Sequence, residues 1–209
     1  MRDSANPKPT REAILDATER LIARFGYKKM TIDDLAHEVG IGKGSIYLHF
    51  TSKEEIALSH IDRIIERLKR RLHQIAAKEI SADEKLREML VDRVLFRFDS
   101  VQDYSQSLNE LLSQLRAKLL ERRKRYFDEE AHLFAAVIEE GIADGTFRRR
   151  DSVDAAHTML LATNSLLPYS LSTAELGARS DIEQKVGAIA DMLLTGLSKD
   201  NSSTNNRSK

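Results

Sequence analysis

The sequence has no cysteine and no tryptophan, and it contains only three prolines and nine glycines among its 209 residues. Without cysteine, the chain can form no disulfide, no thiol nucleophile and no cysteine-ligated zinc or iron–sulfur site. The scarcity of proline and glycine, together with 32% charged residues, favours long helices with solvated faces. The 33 basic side chains are balanced by 33 acidic ones. This balance excludes a uniformly basic protein that coats nucleic acid, but it does not exclude a local basic surface.

Long hydrophobic runs are also missing. No stretch approaches the ~20 apolar residues that a transmembrane helix needs. The polar start from Met1 to Pro9 lacks the apolar core of a secretory signal. We therefore expect a soluble protein that is located in the cytoplasm.

The motifs that most often mark an active site do not occur in the sequence. There is no G-x-S-x-G, no H-E-x-x-H and no Walker motif, and the six histidines show no metal-ligand spacing. We therefore expect no catalytic residues, no cofactor and no metal site, and the chain is not expected to be an enzyme.

Apolar residues recur at helical spacing along most of the chain, without a hairpin signal or a fixed repeat. The pattern predicts an all-α protein with about nine helices. Residues 1–9 and 199–209 are polar and aperiodic, so we expect a disordered arm and a disordered tail. The charged stretch Glu121–Arg125 fits either the face of a continuous helix or a short interruption between two helices.

Three short helices within residues 10–50 form the most informative segment. Thr31 and Asp34 are spaced as a variant capping box that starts the second helix, and Gly40-Ile-Gly42 ends it. The third helix is expected from about Lys43 to His49, with Ile46 facing inward. Helices in this order form a helix-turn-helix motif, which lays its second helix in the DNA major groove.

A phosphate-binding loop is an alternative interpretation of the segment Gly40–Ser45. The segment departs from G-x-x-x-x-G-K-[ST], because Gly44 rather than serine or threonine follows Lys43. It also departs from G-x-G-x-x-G, because the third glycine comes one residue early, and no buried strand precedes it. The sequence therefore disfavours a nucleotide site here.

Residues 10–56 resemble the DNA-binding end of the TetR family of transcriptional regulators. The resemblance lies in five blocks at fixed spacing: Ile14–Ala17, Phe25–Tyr27, Met30–Ala36, Gly40–Phe50 and Ser52–Glu55. The family often has serine at the position of Gly42, so one possible backbone-contacting hydroxyl is missing here. Beyond residue 60, only the helical architecture is similar.

The resemblance implies two domains and a set of DNA contacts. A helix-turn-helix domain is expected at 10–56, with its motif at about 31–50, and a helical effector-binding and dimerisation domain at 57–198. Thr31 can offer its hydroxyl and backbone N–H to a phosphate, and Tyr47 can reach a phosphate or a thymine methyl group. The predicted DNA-binding residues are Thr31, Lys43, Gly44, Ser45, Tyr47, His49 and Lys53.

Charge adds little to this prediction, because residues 1–53 carry nine basic and seven acidic side chains. DNA binding is therefore inferred from the spacing of the motif and not from a basic patch.

For the larger domain, the resemblance implies a small-molecule effector and a second copy of the chain. Helices at about 153–167 and 182–197 are rich in small residues, so we expect them to form a four-helix interface about a two-fold axis. Pockets are typically apolar with few polar groups, but for any one candidate residue an ordinary core position is the favoured interpretation. The candidate pocket residues are Phe96, Tyr104, Phe127, Phe134, Met159 and Tyr169.

The sequence thus predicts a homodimeric, sequence-specific DNA-binding transcriptional regulator. It is expected to be a repressor that a small-molecule effector releases from a near-palindromic operator, since a two-fold dimer presents two recognition helices about 34–36 Å apart. The alternative is a helical protein-interaction module without DNA binding. The intact polar face from Lys43 to His49 argues against that alternative.

Overall fold

The computed structural model describes residues 10–101, 105–168 and 177–199, with the backbone alone for 105–113. These residues form an all-α structure, as predicted, with a 3₁₀ turn at Asn164–Leu166 and an isolated bridge between Phe147 and Ser198. None of the described helices is long and apolar enough to cross a membrane. The eight α-helices are α1 (Thr10–Phe25), α2 (Ile32–Val39), α3 (Lys43–Tyr47), α4 (Lys53–Ala76), α5 (Ala82–Asp99), α6 (Ser105–Ala143), α7 (Ser152–Thr163) and α8 (Arg179–Leu197).

Helix α6 explains why the described residues form eight helices, where about nine were predicted. It runs without a break for 39 residues, through the charged stretch Glu121–Arg125. That stretch consists of glutamate, arginine and lysine, which are all strong helix formers, and it contains neither glycine nor proline. Because nothing there ends a helix, the two helices expected on either side are one. The predicted arm and tail, 1–9 and 200–209, lie outside the described residues.

The chain packs as two compact units. The first unit contains the residues up to Arg67 together with Ser100–Arg122, and the second contains Leu68–Asp99 together with the residues from Arg123 onward. Helices α4 and α6 therefore each belong partly to both units. This division by packing differs from the functional boundary expected between residues 56 and 57, which stays a prediction.

The first unit has an apolar core to which all three short helices contribute. Ile14 of α1, Leu35 of α2 and Ile46 of α3 are fully buried in one cluster with Ile56 of α4. Leu115 of α6 is buried in the same cluster. The core therefore fixes α3 through Ile46, and the rest of this short helix is left at the surface.

The second unit is built around α5, the second half of α6, α7 and α8. Gly141 near the end of α6 leaves room for the ring of Phe147, which is fully buried. A Cβ atom at Gly141 would lie 2.3 Å from Phe147 Cδ2 and 2.9 Å from Ala82 Cβ. Buried members of this cluster include Leu72, Leu86, Met89, Phe134, Ile138, Ala156, Met159, Leu160 and Ala190.

Three buried charged side chains form a hydrogen-bonded network within the second unit. Arg93 donates from Nε to Glu130 Oε2 at 2.7 Å and from Nη1 to Thr163 Oγ1 at 2.9 Å, and Arg97 donates to Glu130 Oε1. Burial raises the pKa of Glu130, but the charges and hydrogen bonds of Arg97 and Arg93 outweigh it and hold the pKa below its ordinary value. The network joins α5, α6 and the end of α7.

Candidate nucleic-acid interface

A capping box starts α2, as the sequence predicted. The Asp34 N–H donates to Thr31 Oγ1 at 3.1 Å. In return, the Thr31 N–H and hydroxyl donate to Asp34 Oδ2 at 2.9 and 2.7 Å, and these bonds lower the pKa of Asp34. Both donors that Thr31 was expected to offer to a phosphate are therefore used by Asp34 in the free protein. A phosphate contact by Thr31, which stays a prediction, would have to displace Asp34.

The turn between α2 and α3 depends on Gly40, which adopts a left-handed conformation with φ of 76°. Its N–H donates to the carbonyl of Ala36 at 3.0 Å, and so does the N–H of Ile41 at 3.0 Å. A residue with a side chain is strained in this conformation, which explains a glycine at the end of α2. Gly42 and Gly44 differ, because a Cβ atom at either position would meet no other atom within 4 Å. Their backbone is open to a partner.

Helix α3 presents nearly all of its side chains to solvent. Ile46 is fully buried, whereas Lys43, Gly44, Tyr47 and His49 are exposed. Ser45 is half-buried, and Tyr47 is 54% exposed. The structure thus places the predicted contact residues of this segment outside the core, on one short helix and the residues that follow it.

The ammonium of Lys43 is already paired in the free protein. Its Nζ lies 2.6 Å from Asp33 Oδ2, and both side chains are more than half exposed. The hydrogen bond to Asp33 raises the pKa of Lys43. Because an exposed ion pair contributes little to stability, this pairing leaves Lys43 able to exchange Asp33 for a phosphate. Asp33 was not among the site residues predicted from the sequence.

Lys53 has a structural role that the sequence did not predict. Its Nζ donates to the carbonyls of Met30 at 2.8 Å and Lys28 at 3.2 Å, and it lies 4.6 Å from the centre of the Tyr27 ring. Burial lowers the pKa of Lys53. The side chain therefore closes the loop between α1 and α2, and its expected contact with the DNA backbone stays a prediction.

Arginines on α4 and α1 hold the helices behind the site together. Arg63 donates to Asp16 Oδ1 at 2.6 Å, to Glu19 Oε2 at 2.9 Å and to the carbonyl of Leu15 at 3.0 Å. Arg20 donates to Glu38 Oε1 at 2.8 Å and so links α1 to α2. These bonds orient α1 and α4 about the motif. The paired residues are far apart in sequence, so no local sequence pattern predicts these hydrogen bonds.

The candidate effector residues lie in the second unit, as far as they are described. Phe134 and Met159 are buried in its large apolar cluster, and Phe96 and Phe127 pack against that cluster. Phe127 also stacks on the ring of His157, with centroids 5.4 Å apart. Tyr104 and Tyr169 lie outside the described residues. Effector binding by this set stays a prediction.

Family models match both parts of the chain. The model described as "Bacterial regulatory proteins, tetR family" matches residues 14–59. The model described as "Tetracyclin repressor-like, C-terminal domain" matches residues 79–167. The chain belongs to the TetR family. TetR-family regulators bind DNA and dimerise, so the helix-turn-helix described above is its DNA-binding element.

Several bacterial relatives are named as regulators. The repressor KstR2 of Mycolicibacterium smegmatis is 27% identical over 162 residues, which cover 76% of this chain and 78% of the relative. An uncharacterised helix-turn-helix regulator of Lactococcus lactis is 30% identical over 135 residues, covering 56% of this chain and 69% of the relative. The fatty acid metabolism regulator of Bacillus subtilis is 26% identical over 194 residues, covering 91% and 96%. These relatives are transcriptional regulators and not enzymes, and this TetR-family chain is likewise a DNA-binding regulator.

Solved structures establish the same fold. A transcriptional regulator from Cytophaga hutchinsonii superposes with a TM-score of 0.73 at 23% identity, covering 90% of this chain and 98% of that one. A TetR regulator from Haloarcula marismortui gives a TM-score of 0.72 at 21% identity, covering 91% and 98%.

Proposed function

We propose that this TetR-family regulator is a homodimeric repressor that binds a near-palindromic operator in the cytoplasm and leaves it when a small molecule binds. The observation that supports operator binding most directly is the exposure of α3. Only Ile46 anchors this helix in the core, and the exposed residues Lys43, Gly44 and Tyr47 are placed where they can enter a major groove.

Each exposed group has a role that fits its chemistry. Lys43 neutralises a phosphate or donates to a guanine, and Ser45 donates to a base or a phosphate. Gly44 lets the backbone approach the duplex. The hydroxyl of Tyr47 reaches a phosphate, and His49 flanks the backbone. Thr31 and Lys53 stay in the proposed set, although both would have to rearrange or share the hydrogen bonds they make in the free protein.

The dimer interface is proposed on α7 and α8, near the helices expected at 153–167 and 182–197. Leu161 of α7 is 61% exposed and Met192 of α8 is 77% exposed. The two helices pack against each other, so they present a joint surface. Large apolar side chains at this exposure are stabilised when a second copy covers them. A two-fold axis through this surface would pair two operator half-sites.

Effector release is proposed to act through α4, which belongs to both compact units. An effector bound near Phe127, Phe134 and Met159 would change the state of α4 and so the spacing of the two recognition helices. This mechanism requires the effector to bind one of two conformations of the protein more tightly. An effector with equal affinity for both conformations would leave their populations unchanged. If an effector binds free and operator-bound protein equally well, the mechanism is wrong.

The proposal is tested by DNA affinity as a function of salt for wild type, Lys43→Ala and Tyr47→Ala. Lys78→Ala, an exposed lysine beyond the end of α4, serves as the control. In Lys43→Ala, loss of one charged phosphate contact per subunit should lower the magnitude of the slope of log affinity against log salt by about 1.8 for the dimer. Circular dichroism and sedimentation should show that every variant is folded and dimeric. Unchanged affinity in the α3 variants would refute binding through α3.

A further inference from the structure

Leu48 is the most exposed large apolar side chain of the described residues, and no role proposed above uses it. Its exposed fraction is 84%, compared with 54% for its neighbour Tyr47. Leu48 directly follows α3 and keeps right-handed helical dihedrals, with φ of −68° and ψ of −23°. The direction of the Leu48 side chain can therefore be worked out as if Leu48 were the next residue of α3.

The position of Leu48 relative to Ile46 fixes where it points. Successive residues of an α-helix are rotated by about 100°, so Gly44 and Leu48 both lie on the side opposite Ile46. Ile46 is fully buried in the core of the first unit. Gly44 has open space where a Cβ atom would be. Leu48 and Gly44 thus lie on the side of the helix that faces away from the core.

The major groove offers one apolar group to such a side chain. Base edges there present hydrogen-bond donors and acceptors, and thymine adds its C5-methyl group. Leucine can satisfy no donor or acceptor, so placing Leu48 against any other base edge would leave polar groups unpaired. We infer that Leu48 is a specificity-determining residue that contacts a thymine methyl group in each operator half-site.

This inference rests on the proposed binding of DNA through α3, with which Leu48 is continuous. Lys43 and Tyr47 belong to the same five-residue helix. Leu48 directly follows Tyr47, so a duplex that meets Lys43 and Tyr47 comes within reach of Leu48 as well. The polar neighbours position the helix on phosphates, whereas Leu48 adds selection for one base.

The test uses the duplex that wild-type protein enriches most strongly from random DNA. Each thymine is replaced in turn by uracil, which removes only the C5-methyl group and keeps the pairing edge. Burial of one methyl group corresponds to about fourfold in affinity. Wild-type affinity should therefore fall by about fifteenfold when the contacted thymine is replaced in both half-sites. Leu48→Ala should bind the thymine duplex more weakly and should be insensitive to that replacement.

Leu120→Ala is the matched control, because it truncates another leucine, 51% exposed, on α6. It should keep both the affinity and the uracil sensitivity of wild type. If Leu48→Ala stays as sensitive to uracil as wild type, the inference is wrong although DNA binding through α3 stands. Equal weakening on every duplex would assign Leu48 to the sugar–phosphate backbone and would also overturn it. If wild type enriches no sequence, both this inference and the proposed function fail.

Discussion

Replacing Glu130 with glutamine should destabilise the second unit strongly, because it removes the carboxylate that faces two buried guanidinium groups. Glu130 is fully buried, and Arg93 and Arg97 are 2% and 6% exposed. Breaking a buried pair by removing one partner costs about 3–5 kcal/mol. Glutamine keeps one acceptor oxygen, so we expect about 3 kcal/mol. With an m-value of about 2 kcal/mol per molar urea, the urea midpoint should fall by about 1.5 M.

The adjacent residue provides a matched control for this change. Glu129 pairs with Lys69 at 2.8 Å, and its side chain is 37% exposed. Glu129→Gln removes the same charge from the same helix, but a pair of this exposure contributes at most about 1 kcal/mol. Urea titrations followed by far-UV circular dichroism compare the two variants with wild type. If both variants shift the midpoint by the same small amount, the account of the buried network is wrong.

The pH dependence of stability provides a second test of the same buried network. The pKa of Glu130 is lowered in the folded state from its ordinary value of 4.5. The stability that it contributes is therefore fully present above pH 4.5 and is lost as the pH falls below that value. Wild type should lose urea resistance over this acid range, and Glu130→Gln should lose less. If the stability of the two proteins changed with pH in the same way, the lowered pKa assigned to Glu130 would be wrong.

Three further perturbations test other parts of the structure. Asp33→Asn removes the carboxylate beside Lys43, so operator affinity in a fluorescence anisotropy titration should rise several-fold at low salt. Unchanged or weaker binding would contradict the phosphate contact proposed for Lys43. Gly141→Ala places a Cβ atom against the buried ring of Phe147 and should cost about 1–3 kcal/mol in urea unfolding; wild-type stability would show that the ring can move. Met192→Glu should convert the dimer to monomer in sedimentation, and a persistent dimer would place the interface elsewhere.

The helix-turn-helix was predictable because its signals are local. The capping residues of α2, the glycine turn and the inward Ile46 all lie within a few positions of one another, and each has the predicted structure. The continuity of α6 was harder to predict, because Glu121–Arg125 suits both an exposed helix face and a break. Propensity favours the continuous helix, since none of these residues interrupts the backbone hydrogen bonds.

Side-chain partners across the fold could not be predicted from local patterns. Arg93 and Glu130 are 37 residues apart, and nothing near either residue indicates that the two meet in a core. The family resemblance implied a DNA contact for Lys53, but it gave no sign that the same side chain closes a loop 23 residues earlier in the chain. Leu48 was missed for another reason. An apolar residue beside a recognition helix suggests core packing in a sequence, and only its exposure in the structure indicates a contact with a partner.

Selection from random duplex DNA at a stated salt concentration tests the central claim most directly. The protein should be shown beforehand to be folded and dimeric. The account predicts an enriched near-palindrome whose half-sites are centred about 10–10.5 base pairs, or a multiple of that distance, apart. It also predicts that Lys43→Ala and Tyr47→Ala enrich this sequence poorly. A folded dimer that enriches no sequence at low salt would contradict operator recognition through α3.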